Sequence, residues 1–154
     1  MAIFKVPMKA VSASAQQDLW HVKAGSTRSI VLREVRLSQR GLAVVESWDI
    51  AFRRHTVTVT QGSGGSTPTP VNVRPGGPSS GATVHMNDTT KASAGTLTDI
   101  DADVFHVLNG FFWLPPPEID ITIDPSTGIV VVLNTTPSGA VNLSGCLTFE
   151  EIGL

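Results

Sequence analysis

Alternation of apolar and polar side chains with a period of two is the feature that most constrains this chain. Three stretches carry it most clearly: Arg28–Gln39, Ser47–Arg54 and Ser138–Glu150. In the second stretch, Trp48, Ile50 and Phe52 point one way and the residues between them point the other. This is the period of a β-strand with one buried face. Because no helical pattern of useful length accompanies it, the chain is predicted to be all-β.

The length of 154 residues indicates a single domain, and a domain of that size removes roughly 70% of its unfolded surface from water. Two packed antiparallel sheets are the simplest way to bury strands that have one apolar face. We therefore predict a jelly-roll-like antiparallel β-sandwich over residues 18–154. The predicted core contains Trp48, Ile50, Phe52, Ile121, Leu147 and Phe149.

Shorter patterns complete the predicted strands. Val57 and Val59 continue the alternation after residue 54 on the opposite parity, which predicts a bulge or turn near Arg53. The alternating residues 119–123 lead through a turn at Asp124–Gly128 into the apolar run Ile129–Leu133, which is predicted to be their hairpin partner and a central strand. The polar stretch between residues 87 and 103 is predicted to be a loop.

The segment Val57–Asp88 divides the chain into two β-rich halves and contains a long loop, Gln61–Ser80, rich in Gly, Pro and Ser. Loops of that length are usually functional or disordered. Four prolines, Pro68, Pro70, Pro75 and Pro78, cannot donate to a strand ladder. Two interpretations remain open: an extended arm that lies on another surface, or a solvated mobile loop.

The first 17 residues are predicted to form an extended N-terminal arm or a first edge strand, because Pro7 discourages a helix. Their apolar residues resemble a secretion signal only superficially, since Lys5, Pro7 and Lys9 interrupt them.

The composition argues against several classes of partner. The formal net charge of -2 argues against nonspecific nucleic-acid binding. The absence of an apolar run of about 18 residues argues against a transmembrane helix. Only 16% of the residues are charged, against about 25% in ordinary soluble domains. A surface this poor in charge is a mild sign of burial against protein partners.

No metal site is predicted. Asp99, Asp101 and Asp103 begin like a calcium loop, but Val104 occupies the place of the required glycine and Gly110 that of the final glutamate. A solvated turn is therefore the preferred interpretation. The histidines, which are His21, His55, His85 and His106, show no spacing typical of a metal pair.

No catalytic or cofactor-binding residue is predicted either, and the chain is not expected to be an enzyme. Ser63 lies among glycines but lacks the pattern of a hydrolase nucleophile. Cys146, the single cysteine, is expected to be a half-buried, inert thiol in a strand. Paired carboxylates of a glycoside hydrolase come from distant strands, so that alternative stays open.

The most apolar run, residues 111–114, is followed directly by three prolines, Pro115–Pro117. Such an aromatic run suits either a platform for stacking glycans or a protein interface, and we prefer the interface because aromatic residues are enriched there. The predicted interface residues are Phe111, Phe112, Trp113, Pro68, Pro70 and Pro75.

Three segments carry a resemblance to a known family: Gly62–Pro70, Asn109–Glu118 and the C-terminal Leu147–Leu154. There, and in its order of strands over nearly the full length, the chain resembles small proteins encoded among the head genes of tailed bacteriophages, associated with capsid decoration or cementing. These motifs encode shape and not chemistry.

The resemblance implies a structural virion protein that binds the major capsid protein on the outer surface of the shell and occupies the host cytoplasm during assembly. It also implies a homotrimer whose arms contact the capsid protein. Two alternatives remain: a host- or glycan-binding module of a phage tail or fibre, and a carbohydrate-active enzyme on the same fold. Fold alone does not choose among them.

Overall fold

The computed structural model describes residues 1–56 and 59–153. Its strands, in chain order, are β1 (Ala2–Ala13), β2 (Gln17–Lys23), β3 (Arg28–Arg40), β4 (Ser47–His55), β5 (Val71–Asn72), β6 (Thr83–Asp88), β7 (Leu97–His106), β8 (Phe111–Trp113), β9 (Ile121–Ile123), β10 (Gly128–Leu133) and β11 (Val141–Gly153). The described residues contain no α-helix, and their one helical turn is a 3-10 turn at Pro117–Ile119. None of their helices is long and apolar enough to span a membrane.

The strands form two antiparallel sheets packed as a β-sandwich, which confirms the all-β prediction. One sheet has six strands in the order β5-β1-β11-β3-β8, with β9 also pairing with β3. The other has five strands in the order β6-β2-β10-β4-β7. The pairing is nested along the chain: β1 pairs with β11, β2 with β10, β3 with β8 and β9, and β4 with β7.

The core lies between the sheets, where the inward residues of both sheets form one apolar cluster. Five of the six predicted core residues are fully buried, and Ile121 is half-buried against the same cluster. A register shift does occur near Arg53, between Phe52 and Arg53 against β7, but the extra residue is Ile100 of β7. β4 itself pairs with β10 without interruption from Ile50 to His55, so the bulge predicted near Arg53 is not in this strand. Val57 and Thr58, where the alternation was also predicted, lie outside the described residues.

Of the two alternatives for the first 17 residues, the extended arm is wrong over most of its length, because residues 2–13 form a strand that pairs with β11. The edge-strand alternative is close to the structure, since only the two-residue β5 lies beyond β1. Phe4, Val6 and Met8 have the period-two spacing of a buried face, and all three are buried in the core. Pro7 is tolerated because the outer side of β1 pairs with β5 only at Phe4 and Lys5, and proline is compatible with such edge positions.

The loop Gln61–Ser80 folds back on its own chain. Ser63 and Ser66 form isolated bridges to Thr90 and Met86, and β5 pairs with β1. Beyond its end, a carboxylate oxygen of Glu151 accepts the backbone N–H of Gly81 at 2.8 Å. These contacts offset the entropy lost on ordering the loop, so it is not an unattached solvated loop. That it also lies on another chain stays a prediction.

Two further predictions require correction. The turn at Asp124–Gly128 is present, with the Thr127 N–H donating to the Asp124 carbonyl at 3.1 Å, but the chain crosses from one sheet to the other there. β9 pairs with β3 and β10 with β2 and β4, so β9 and β10 are not a hairpin. Residues 97–103, predicted to be loop, belong to strand β7.

Candidate interaction surface

The rim formed by β7, β8 and β9 is the part of the described surface that most resembles a protein interface without its partner. β7 ends the five-stranded sheet, and β8 and β9 end the six-stranded sheet on the same side. Within the described residues β7 pairs only with β4. Its first eight residues, Leu97–Val104, are all exposed. An exposed edge of this length offers unpaired backbone groups to another chain.

Trp113 ties the two sheets together at this rim. Its indole Nε1 donates to the Asp101 carboxylate at 2.9 Å, which joins β8 to β7. Its ring packs on Phe52 with the ring centroids 4.7 Å apart. Phe52 and Asp101 both belong to the five-stranded sheet and Trp113 belongs to the six-stranded sheet, so the half-buried indole joins the edges of the two sheets through its ring and its N–H.

A cleft of about 420 Å³ opens beside Trp113. Its walls are formed by Ile100, Asp101, Trp113, Leu114, Pro115, Pro116, Ile119 and Ile121. Leu114 is 62% exposed and Ile119 is 67% exposed. The prolines restrict the backbone between these two side chains, so this part of the surface loses little entropy when a partner covers it. We call this feature the rim cleft.

The rim cleft carries negative charge that the chain itself does not neutralise. Asp99 is paired with Arg53, whose Nε lies 2.6 Å from a carboxylate oxygen, and this hydrogen bond lowers the pKa of Asp99. Asp101 and Asp103 have no cationic partner among the described residues. The cleft therefore combines aliphatic walls with one carboxylate, Asp101, that has no cationic partner, and Asp103 lies further along the same strand. Such a surface suits a polypeptide that carries both apolar and basic side chains.

The six residues predicted to form an interface are not brought together. Phe111 is buried in the core, with its ring 5.2 Å from that of Phe105. Phe112 is exposed on the outer face of the six-stranded sheet, opposite Arg36. Only Trp113 borders the rim cleft. The interface role of Phe112 and Trp113 stays a prediction, whereas Phe111 is inaccessible in the single chain.

The three prolines lie on the opposite side of the molecule, in the segment that connects β4 to β6. Pro68 and Pro70 are half-buried and Pro75 is exposed. Pro75 lines a second cleft of about 600 Å³ with Ile3 and Val73. Their contact role also stays a prediction.

Cys146 is half-buried in β11, as predicted. It lines a shallow groove of about 450 Å³ on the outer face of the six-stranded sheet, together with Arg36, Phe112 and Ser144. Leu37 and Phe111 also border this groove, so its lining mixes polar and apolar residues.

Two histidines stack in the interior. His21 and His55 are buried with ring centroids 4.7 Å apart, and their ring nitrogens have no hydrogen-bond partner in the described part of the chain. Burial lowers the pKa of His21 to about 3 and that of His55 to about 4. No group of three or more His, Cys, Asp and Glu within residues 1–56 and 59–153 has the geometry to hold a metal ion.

The rim is not evident from the sequence because Asp99, Asp101 and Asp103 resemble a solvated turn. The stretch Asp99–Val104 nevertheless alternates polar and apolar residues, and that period-two pattern is the available signal. The proximity of Asp101 to Trp113 joins two different sheets, and no local pattern encodes that contact.

Comparison of the chain with protein-family models, with curated proteins and with solved structures found no match. Its function is therefore inferred from the geometry of this chain and from the resemblance described above.

Proposed function

We propose that this chain is a structural virion protein, a capsid decoration or cement protein that binds the outer surface of the major capsid protein shell and stabilises it. The observation that carries the proposal is the rim: an edge strand exposed along eight residues beside an apolar cleft. Exposed apolar patches rimmed by polar groups are typical of interaction sites. A protein whose role is contact, and not turnover, needs such a surface.

The connectivity of the sandwich supports this proposal. In the nested pairing the first strand lies beside the last, and the inner pairs follow in turn. We interpret this as a jelly roll with β5 and β6 inserted between β4 and β7. Jelly rolls are used by viral capsid and lectin domains. The fold is compatible with a virion role but does not select it.

The resemblance to head-gene products of tailed bacteriophages adds a homotrimer and a position on the capsid surface to the proposal. The small fraction of charged residues, 16%, is consistent with a surface partly covered by neighbours.

Cryo-electron microscopy of particles from the encoding virus tests the proposal. Many copies distributed over the shell are the expected result, and a few copies at one vertex would favour a tail or fibre role. A Leu114→Ser/Ile119→Ser variant should decorate particles at much lower occupancy, because truncating buried anchors of an interface typically costs about 1–2 kcal/mol or more each. The matched control is Leu42→Ser/Val45→Ser, which removes exposed apolar residues that do not line the rim cleft and should leave occupancy unchanged.

A glycan-binding module is the second candidate, since the half-exposed Trp113 ring lies beside the Asp101 carboxylate. Against it, Phe52 covers one face of the indole and Asp101 already accepts the indole N–H. Binding on a glycan array that is lost in Trp113→Ala would favour this candidate over capsid decoration.

A further inference from the structure

The two opposite rims of the sandwich carry opposite charge. We define the acidic rim as β7, β8 and β9 with the segments between them, and the basic rim as β1, β5 and β6 with the segment from residue 61 to residue 82. β1 and β5 end the six-stranded sheet on the side away from β8, and β6 ends the five-stranded sheet on the side away from β7. β1 and β6 are in contact across the sandwich.

The acidic rim has no cation of its own. Residues 97–123 contain five carboxylate side chains and no Lys or Arg: Asp99, Asp101, Asp103, Glu118 and Asp120. Asp99 and Asp120 are neutralised by arginines from β4 and β3. Asp101, Asp103 and Glu118 form no ion pair among the described residues.

The basic rim has the complementary composition. Residues 1–17 and 61–88 contain Lys5, Lys9 and Arg74. Their one carboxylate, Asp88 at the end of β6, is buried. Within the described chain none of these three cations forms a salt bridge.

Both rims also expose aliphatic side chains beside their charges. The acidic rim presents Ile100, Leu114 and Ile119, and the basic rim presents Ile3, Val71 and Val73. Each rim contains a cleft, of about 420 Å³ and about 600 Å³ respectively. Apolar contact supplies affinity, while complementary charges select the partner and its orientation.

We propose that the occupant of the rim cleft is a second copy of this chain, and that the acidic rim of one copy packs against the basic rim of the next. Such a head-to-tail contact is heterologous, and it closes into a ring when the rotation between copies permits. This inference deepens the proposed function and rests only on its self-association part: it assigns the two surfaces that meet.

A different role for the acidic residues is protection of an exposed edge strand, since charges on edge strands prevent edge-to-edge aggregation. That role predicts a monomer, and it gives no reason for the opposite rim to lack exposed carboxylates. The two explanations therefore predict different effects of charge reversal: it changes self-association only if the rims contact each other.

Sedimentation velocity on the purified full chain, at a concentration where the wild type is assembled, is the test. We expect Asp103→Lys/Glu118→Lys to weaken self-association at least about tenfold, because like charges then face each other. Lys5→Glu/Lys9→Glu should do the same from the opposite rim. Combining all four substitutions exchanges the sign of the charge at the two rims and should restore assembly. Restored assembly cannot be explained by variants that fail to fold.

Lys23→Glu/Arg40→Glu is the matched control, because it makes the same change in net charge as the Lys5/Lys9 variant on interior strands β2 and β3. It should assemble like the wild type. Far-ultraviolet circular dichroism establishes that each variant is folded.

A monomeric wild type at about 100 µM overturns the inference, as does assembly that both reversals leave unchanged. If charge reversal at just one rim weakens assembly, that rim contacts its own copy across a two-fold axis. This result also overturns the inference. Particle occupancy is measured separately, so a wild type that assembles head to tail but does not bind particles refutes capsid decoration and leaves this inference standing.

Discussion

The stacked histidines are the residues with the clearest consequence for stability. His21 and His55 have pKa values lowered to about 3 and about 4, mainly by burial, with the nearby cations Arg53 and Lys23 and the ring of His85 acting in the same direction. The unfolded chain binds protons at these sites near the ordinary pKa of about 6.5. Between pH 6.5 and about 4 the unfolded state therefore holds protons that the folded state lacks, and stability falls as the pH falls.

We expect the free energy of unfolding to drop by up to about 2 kcal/mol per histidine between pH 7 and pH 5. Urea unfolding at the two pH values measures it. A His21→Phe/His55→Phe variant should lose most of this pH dependence, whereas His106→Gln, remote from the stack, should keep it. Equal pH dependence in the wild type and the double variant would show that other groups control acid stability.

Trp48 is the residue whose truncation should cost most in the core. Its side chain is 1% exposed, contacts Phe105 edge-to-face, and donates from Nε1 to Glu46 at 2.7 Å. Trp48→Ala should lower the free energy of unfolding by about 3–5 kcal/mol through lost burial and the cavity left behind. Leu42→Ala, on an exposed side chain, should change it by less than about 0.5 kcal/mol. Equal midpoints in denaturant would contradict the placement of Trp48.

At the scale of elements, the strands with clean alternation were predictable and their partners were not. β3 and β4 were located within one residue because their apolar side chains recur at alternate positions, and β10 was located because its apolar run is continuous. For β1 the edge-strand alternative was near the structure, but Pro7 and the lysines also favoured an arm. Most of β7 was missed because Asp99, Asp101 and Asp103 resemble a solvated turn and the strand buries almost no side chain.

The reassigned N-terminal strand makes a direct prediction. Val6 is fully buried between the sheets, whereas its neighbour Pro7 is exposed. Val6→Asp should abolish folding or cost several kcal/mol, because it buries a carboxylate without a partner. Pro7→Ser should be nearly neutral. If residues 1–17 were instead a free arm, both substitutions would leave the melting temperature unchanged.

On the scale of the whole molecule, the candidate surface depends on long-range topology that sequence patterns do not reach. The rim cleft requires β7 and β8 to end different sheets on the same side, a consequence of the nested pairing. Trp113 was identified as an interface residue from composition, but its partner Asp101 was assigned to a turn. The charge difference between the rims is visible in the sequence only after the strands have been placed.

In the nested pairing, β1 at the start of the chain pairs with β11 at its end. The two sheets therefore have to form together from distant parts of the chain. We expect a single cooperative unfolding transition, with refolding in milliseconds to seconds or slower, as is usual when non-local pairings dominate. The chain has three tryptophans and no tyrosine, so its near-ultraviolet fluorescence reports tryptophan alone. Trp113 lies in the six-stranded sheet, and Trp20 and Trp48 lie in the five-stranded sheet.

Two variants report the two sheets separately. One keeps Trp48 and the other keeps Trp113, and in each the other two tryptophans are replaced by Phe. Within each variant the fluorescence midpoint in urea should coincide with the midpoint from far-ultraviolet circular dichroism, because one apolar cluster joins both sheets. Because the two midpoints are compared within one variant, a difference in stability between the two variants does not affect the result. A Trp113 signal that changes well before the circular dichroism would mean that the β8 edge opens independently. The rim cleft would then be a surface ordered by its partner and not a preformed one.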